Sequence, residues 1–159
     1  IRRGIEASTG VWLMVLHADS RPLPGWPAAV ARHIADRPDR AGYFDVRFDA
    51  EGFAPRMVAG WANRRSHLFG LPYGDQGLLI RRAVLERVGG YPDLPLMEDV
   101  ALARSLGRKA LAPLDHPILT SAEKYRRQGW LRRGAHNLGT LARYYAGADP
   151  EDLATRYRR

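Results

Sequence analysis

Residues Val11 to Leu16 read VWLMVL, an unbroken apolar run between Gly10 and the polar cluster His17-Ala18-Asp19-Ser20. The run is too short for a helix of ordinary length, and its ends are rich in strand formers. A strand with one wet face alternates apolar and polar side chains, whereas a continuous run expects cover on both faces. Val11 to Leu16 is therefore read as a doubly buried strand of the kind found in parallel α/β sheets. Such a strand needs helices on either side. It also puts His17 to Ser20 outside a strand's carboxyl end, where open α/β sheets hold their ligands.

The rest of the chain fits that class. The opening IRRGIEASTG reads as the end of a helix stopped at Gly10. Pro24 to Asp36 has helical spacing, with Trp26, Val30 and Ile34 on one face. Ala41 to Phe48 alternates and is a strand with one wetter face, that of Tyr43, Asp45 and Arg47. Pro55 to Phe69 is a helix with Met57, Trp61 and Leu68 near one stripe. Leu71 to Gly77 is a loop, Leu78 to Ile80 a short strand, Arg81 to Val88 and Leu96 to Leu106 helices. Lys109 to Ala112 and Ile118 to Thr120 are read as short strands, Trp130 to Tyr145 as an amphipathic helix and Pro150 to Tyr157 as a last short one. Strand, helix, strand, helix and then mixed elements make an α/β domain, not a bundle or a sandwich.

A length of 159 residues suits one such domain. The absence of cysteine excludes disulfides, thiolate catalysis and Cys-ligated zinc. No run of apolar residues is long enough for an ordinary transmembrane helix. The net charge is +8, and from Ser121 onward nine basic residues face four acidic ones. That C-terminal excess points to a phosphate-bearing ligand, an anionic membrane or nucleic acid, or else to a solvated Arg-rich face.

Several residues carry two readings on the sequence alone. Asp19 either holds a divalent cation, through carboxylate oxygen, or with Ser20 turns the chain before Pro22. Glu98 and Asp99 either satisfy the dipole of the helix they open or supply a general base at its start. Gly74-Asp75-Gln76-Gly77 is either a plain turn or a loop set against a polyhydroxylated ligand. Arg126 and Arg127 either clamp phosphate or are surface charge.

Three segments occur in an order that resembles the family 2 glycosyltransferases of the GT-A fold. IEASTGVWLMVLHADSRPLPGW is similar to the helix and buried strand that end in that family's Asp-x-Asp sequence and a Pro-Gly turn. YGDQGLLIRRAVLERVGGYPDLPLMEDVALARSLGR resembles the acceptor-side strand, a Gly-Gly-aromatic turn and a Glu-Asp pair opening a helix. TSAEKYRRQGW, with the following helix carrying Asn137 and Tyr144, is similar to the C-terminal part of a small bacterial single-domain subgroup.

The resemblance implies a GT-A type (Rossmann-like) mixed sheet flanked by helices, with C-terminal amphipathic helices. It implies inverting, metal-assisted transfer of a sugar from a nucleotide-diphosphate sugar to an acceptor hydroxyl. Asp19 matches the metal-holding second Asp of Asp-x-Asp, with Mn²⁺ or Mg²⁺ as the ion. His17 stands in place of the first Asp, on the donor side. Asp99 matches the general base and Glu98 its neighbour. Asp75 and Gln76 match the acceptor-side loop, and Arg126 and Arg127 a basic, phosphate-directed segment. No Gln-x-x-Arg-Trp sequence is present, which argues against a processive polysaccharide synthase. The family's N-terminal strands, which bind the nucleotide base, are not seen before Ile1. The expectation is thus a single glycosyltransferase domain over residues 1–159, N-terminally truncated to the C-terminal two-thirds or so of a complete one. The expected place is cytoplasmic, with a membrane-peripheral position and self-association as variants and nucleic acid not expected as a partner. The competing classes are a degenerate, non-catalytic fragment and a basic module for nucleic acid or membrane, resting on Trp130, Tyr144 and Tyr145 among arginines.

Overall fold

The computed structural model describes residues 1–157; Arg158 and Arg159, part of the C-terminal charge excess, lie outside the described residues. The chain forms a mixed five-stranded sheet in the order β1-β4-β3-β5-β2. Its strands are β1 (Trp12–Val15), β2 (Ser20–Pro22), β3 (Ala41–Phe48), β4 (Leu78–Arg81) and β5 (Leu111–Thr120). Only β3 and β5 run parallel; β1 with β4, β4 with β3 and β2 with β5 are antiparallel.

Side-chain alternation divides the core into two layers, one on each face of the sheet. Leu13, Tyr43 and Ile80 face the first layer, which is closed by α1 (Arg2–Ala7), α4 (Arg82–Arg87) and α5 (Glu98–Leu106). Their sequence neighbours Met14, Phe44 and Leu79 face the second. That layer is closed by α2 (Trp26–Asp36), α3 (Phe53–Phe69), α6 (Glu123–Gln128) and α7 (Trp130–Tyr145), and α8 (Pro150–Tyr157) packs against α7. The α/β class expected from the VWLMVL run is the observed one.

Several local expectations are corrected. β1 is neither central nor part of a parallel ladder: it is an edge strand, paired only with β4. With a neighbour on one side alone, it buries Leu13 but leaves Val11 64% and Leu16 38% exposed. The wetter face expected of β3 is wet only toward its end, because Tyr43 is buried under the first layer while Arg47 is exposed. The two short strands expected around residues 109–120 are one strand, β5, interrupted but not broken by a bulge where Asp115 takes φ 52°. Ser20 to Pro22, given no element from the sequence, adds β2 to the far edge, and the segment before Trp130 contains α6.

The largest departure concerns α3. Its Met57, Trp61 and Leu68 stripe faces solvent, and Phe53 and Phe69 are exposed with it. The inward face carries Pro55, Ala59, Arg65 and Ser66. An apolar stripe on such a helix ordinarily faces the core; here α3 is held by its small apolar residues Val58, Ala59 and Ala62 and by polar contacts. Asn63 accepts a hydrogen bond from the Val46 amide at 2.8 Å and donates one back to the Val46 carbonyl at 3.2 Å.

Candidate functional site

The loops around β1, β4 and α5 close on one cleft. β1 delivers His17 and Asp19 to it, the loop before β4 delivers Tyr73, Gly74 and Asp75, and the start of α5 delivers Glu98 and Asp99. The C-terminal helices supply the remaining wall with Lys124, Tyr125, Arg133, Asn137 and Tyr157. Residues more than a hundred positions apart therefore share one cavity, at the end of the sheet where the VWLMVL run placed it.

The loop from Leu71 to Gly77 is the keystone. Gln76 is fully buried, and its side chain is saturated. Its carbonyl accepts hydrogen bonds from the Ser66 hydroxyl at 2.5 Å and from Arg65 at 3.3 Å, while its amide donates to the Phe44 carbonyl at 3.0 Å. Gln76 thus fastens the loop to β3 and α3, and the sequence expectation that it meets a ligand is corrected: it faces the interior, behind the cleft. Gly77 follows with φ 61°, where a Cβ would lie 3.0 Å from the Leu16 side chain, so glycine answers both the backbone and the packing.

Asp99 grips the same loop from the other side. Its Oδ2 accepts from the Gly74 amide at 2.6 Å and its Oδ1 from the Val100 amide at 2.7 Å. Burial pushes its carboxyl up, while the Gly74 and Val100 amides pull it back down. The neighbouring Glu98 carboxyl is also raised, by burial first and then by the charge of Asp99. The residue before this pair, Met97, is buried and holds φ 65°, an unusual left-handed conformation for a side chain of its size. It tips the α5 start so that the acidic pair lines the cleft.

Asp75 and Tyr73 each carry a buried, unpartnered side-chain oxygen in the site, and Asp75 is the ionisable carboxyl of the two. Its Oδ1 is shielded from solvent and has no hydrogen-bond partner. Burial raises its pKa to about 6, although the Arg65 guanidinium opposes the shift. Arg65 lies 3.3 Å over the Tyr73 ring and donates to the Leu71 carbonyl at 3.0 Å. A buried, unpaired carboxyl oxygen on the wall of a cleft is costly, and such costs are retained where a ligand's donor can meet them.

The open side of the cleft holds His17 and Asp19, with the imidazole Nδ1 and the carboxylate Oδ1 2.5 Å apart. Both side chains are accessible to solvent. Among the described residues no group of three or more His, Asp or Glu side chains is arranged to hold a metal ion. The protein donors that could reach a cation here are therefore Asp19 and His17.

Arg126 and Arg127, expected at phosphate, are not among the cleft-lining residues. Arg126 donates to the Asp49 carbonyl, tying α6 to the end of β3, and the exposed Arg127 lies 3.9 Å from Glu123, one helical turn away. Lys124 and Arg133 occupy the cleft wall in their place. The helix α6 explains the exchange for Arg126, which lies two residues from Lys124 and so on the opposite side of the helix; Arg127, one turn on from Lys124, pairs with Glu123 instead.

Sequence reasoning missed Tyr125, Arg133 and Tyr157. The Tyr125 hydroxyl accepts a hydrogen bond from Asn137 Nδ2 at 3.1 Å, and the Tyr157 hydroxyl donates to Asn137 Oδ1 at 3.4 Å. Arg133 lies 4.2 Å over the Tyr157 ring. The i, i+4 spacing of Arg133 and Asn137 was a usable sign of a shared polar face; nothing in the sequence tied Tyr157 to it. Trp130 stacks on Tyr125 at 4.8 Å and packs edge-on to Phe48, so it supports the cleft from within.

No protein-family model, no curated protein and no solved structure matches this chain.

Proposed function

We propose that this chain is a GT-A type, family 2-like glycosyltransferase domain that moves a sugar from a nucleotide-diphosphate sugar to an acceptor hydroxyl with inversion. The observation that carries the reading is the meeting, in one cleft, of an open His17–Asp19 pair, a half-buried carboxylate pair at a helix start and basic side chains from the C-terminal helices. The reaction has two electrostatic needs. The acceptor oxygen must lose a proton as it attacks the anomeric carbon, and the departing diphosphate must carry away the electron pair of the broken C–O bond.

Asp99 is the proposed base. Its two backbone amide bonds fix the carboxylate's direction, and its burial favours taking up a proton. Glu98 stands beside it on the cleft wall. Asp75, with its unpaired oxygen, is suited to a hydroxyl of the acceptor. Lys124 and Arg133 are placed for diphosphate charge. Asp19 and His17 are too few to retain a divalent ion alone, and they suit one that arrives with a diphosphate and keeps phosphate and water oxygens as its other ligands. Such an ion would neutralise charge on the leaving diphosphate.

Release of nucleoside diphosphate from a panel of sugar nucleotides, with Mn²⁺ present, tests the reading on this chain and on any longer product of the same reading frame. Asp99→Asn should lower turnover by roughly two to four orders of magnitude, with Glu98→Gln milder. Release by neither protein from any donor would leave the non-catalytic reading in its place. A more damaging Glu98→Gln would reverse the assignment within the pair.

A further inference from the structure

Helix α3 is inside out. Phe53, Met57, Trp61 and Leu68 recur at spacings of four, four and seven, so they fall on one face, and they are 77%, 41%, 56% and 57% exposed. Nothing in the described chain covers them. The opposite face is engaged by Arg65, Ser66 and Asn63 in holding the Gln76 loop and β3. Rotating α3 to bury the stripe would break that network, so the apolar face is outward by construction.

A second apolar row lies next to it. α7 packs against α3 and exposes Leu131, Leu138 and Tyr145, seven residues apart in each step. The rows meet at their C-terminal ends, where Phe69 and Tyr145 line one groove together with Arg104 and Arg108. The two helices themselves carry charge of one sign, the acid against them being Asp45 of β3, 2.8 Å from His67. Neither α3 nor α7 contains an aspartate or glutamate, while Arg56 and Arg64 on α3 and Arg132 and Arg143 on α7 are exposed. The nearest acids in the chain are Glu51 before α3 and Asp149 after α7.

We propose that the α3–α7 face docks on the surface of an anionic phospholipid bilayer, with the apolar rows entering the headgroup region and the arginines meeting lipid phosphates and carboxylates. Charge decides the occupant. A second copy of the chain placed face to face would set arginine against arginine with no acid on either helix to pair with it. Duplex nucleic acid would meet the arginines but leave phenylalanine, tryptophan and leucine without apolar cover. An apolar helix face bordered by basic residues is what an anionic interface rewards. This surface shares Tyr145 and the α7 arginines with the C-terminal one considered on sequence, but Trp130 is turned inward and the α3 row takes its place; it does not depend on the glycosyltransferase reading.

Flotation of the 159-residue chain with phosphatidylcholine vesicles, and with vesicles that also contain phosphatidylserine, tests the proposal. Binding is expected to the mixed vesicles, to weaken as salt is raised, and to fall at least about tenfold in Phe53→Ser/Trp61→Ser/Leu68→Ser. The double variant Arg56→Gln/Arg64→Gln, which leaves every packed residue in place, should weaken binding to mixed vesicles several-fold and keeps the test intact if the triple variant folds poorly. Absence of binding to mixed vesicles overturns the proposal, as does equal binding to neutral ones or binding indifferent to both variants. Self-association abolished by the α3 changes would identify a second copy as the occupant, and competition by duplex DNA at the same face would identify nucleic acid; either result also overturns it.

Discussion

The two sides of the candidate cleft are built on opposite principles. On one side Asp75, Gln76 and Asp99 are buried or nearly so, and two of the three are fully engaged with the protein: Gln76 with Ser66, Arg65 and Phe44, Asp99 with the Gly74 and Val100 amides. On the other side His17 and Asp19 stand on a solvent-accessible loop and Lys124 on the exposed helix α6, and His17 and Asp19 have each other as their main contact. A buried polar side chain must have its partners supplied by the fold, because water cannot supply them. An accessible one is free to exchange water for a ligand. The difference teaches where stability and activity should separate in this molecule: changes on the open side should touch turnover alone, and changes on the buried side should touch folding as well.

The sharpest separation is expected at Asp19. Asp19→Asn should abolish Mn²⁺-dependent turnover in the proposed reaction while unfolding remains as cooperative as in the parent, measured by thermal melts beside the activity assay. Turnover near the parental level would remove Asp19 from the site. Next in size is Gln76→Ala, which leaves the Ser66 hydroxyl and the Phe44 carbonyl without their buried partner. It should cost about 2–4 kcal/mol in denaturant unfolding. A cost within about 0.5 kcal/mol would mean that the loop is not held as described.

Asp75 offers a test in which the sign reverses. Its folded pKa, about 6, is above the unfolded carboxyl value of 3.8. The fold therefore prefers the protonated form, whose contribution is full below the unfolded value and is lost as pH rises through the folded one. Asp75→Asn cannot ionise. It should gain on the parent as pH rises from about 4 to about 7, by no more than about 3 kcal/mol, while losing activity. Denaturation series at several pH values would show the difference curve; a flat curve sinks the assignment of a buried, unpaired carboxyl. The smallest effect is expected between neighbours on α6. Lys124→Ala should raise the donor KM roughly fivefold, whereas Arg126→Ala/Arg127→Ala should leave it within about twofold. The reverse order would restore the two arginines to the site and move Lys124 to its rim.

The buried half of the site was only partly legible in the sequence. The positions of Asp19, Asp75, Glu98 and Asp99 at element boundaries could be read, because turn residues and helix starts leave local marks. That Gln76 turns inward while Asp75 turns to the cleft could not. Adjacent residues in a 3₁₀ turn point in different directions, and the choice is made by Ser66 and Arg65, ten and eleven positions earlier. Arg126 and Arg127 were misplaced for a similar reason: a helix of six residues, short for its pattern to register, carries Arg126 to the Asp49 carbonyl and leaves Arg127 beside Glu123. Helix α3 failed most instructively. Periodicity identified both the helix and its apolar stripe, and the stripe lies on the outside.

The sequence by itself determined the α/β class and that His17 and Asp19 stand at the end of a strand, where the candidate cleft lies. A continuous apolar run ending in His17-Ala18-Asp19 needs a sheet beneath it and exposes polar groups at its end, and that follows from local pattern and desolvation alone. Tertiary structure decided the rest. It made β1 an edge strand, since pairing partners are chosen among segments far apart in the chain. It turned α3 over, because satisfying Asn63, Arg65 and Ser66 against β3 and the Gln76 loop fixed the helix's rotation while its large apolar side chains were left to the solvent. Hydrophobic pattern reports which side chains avoid water on average; which of them are placed away from it is settled by the buried polar groups that must find partners at the same time.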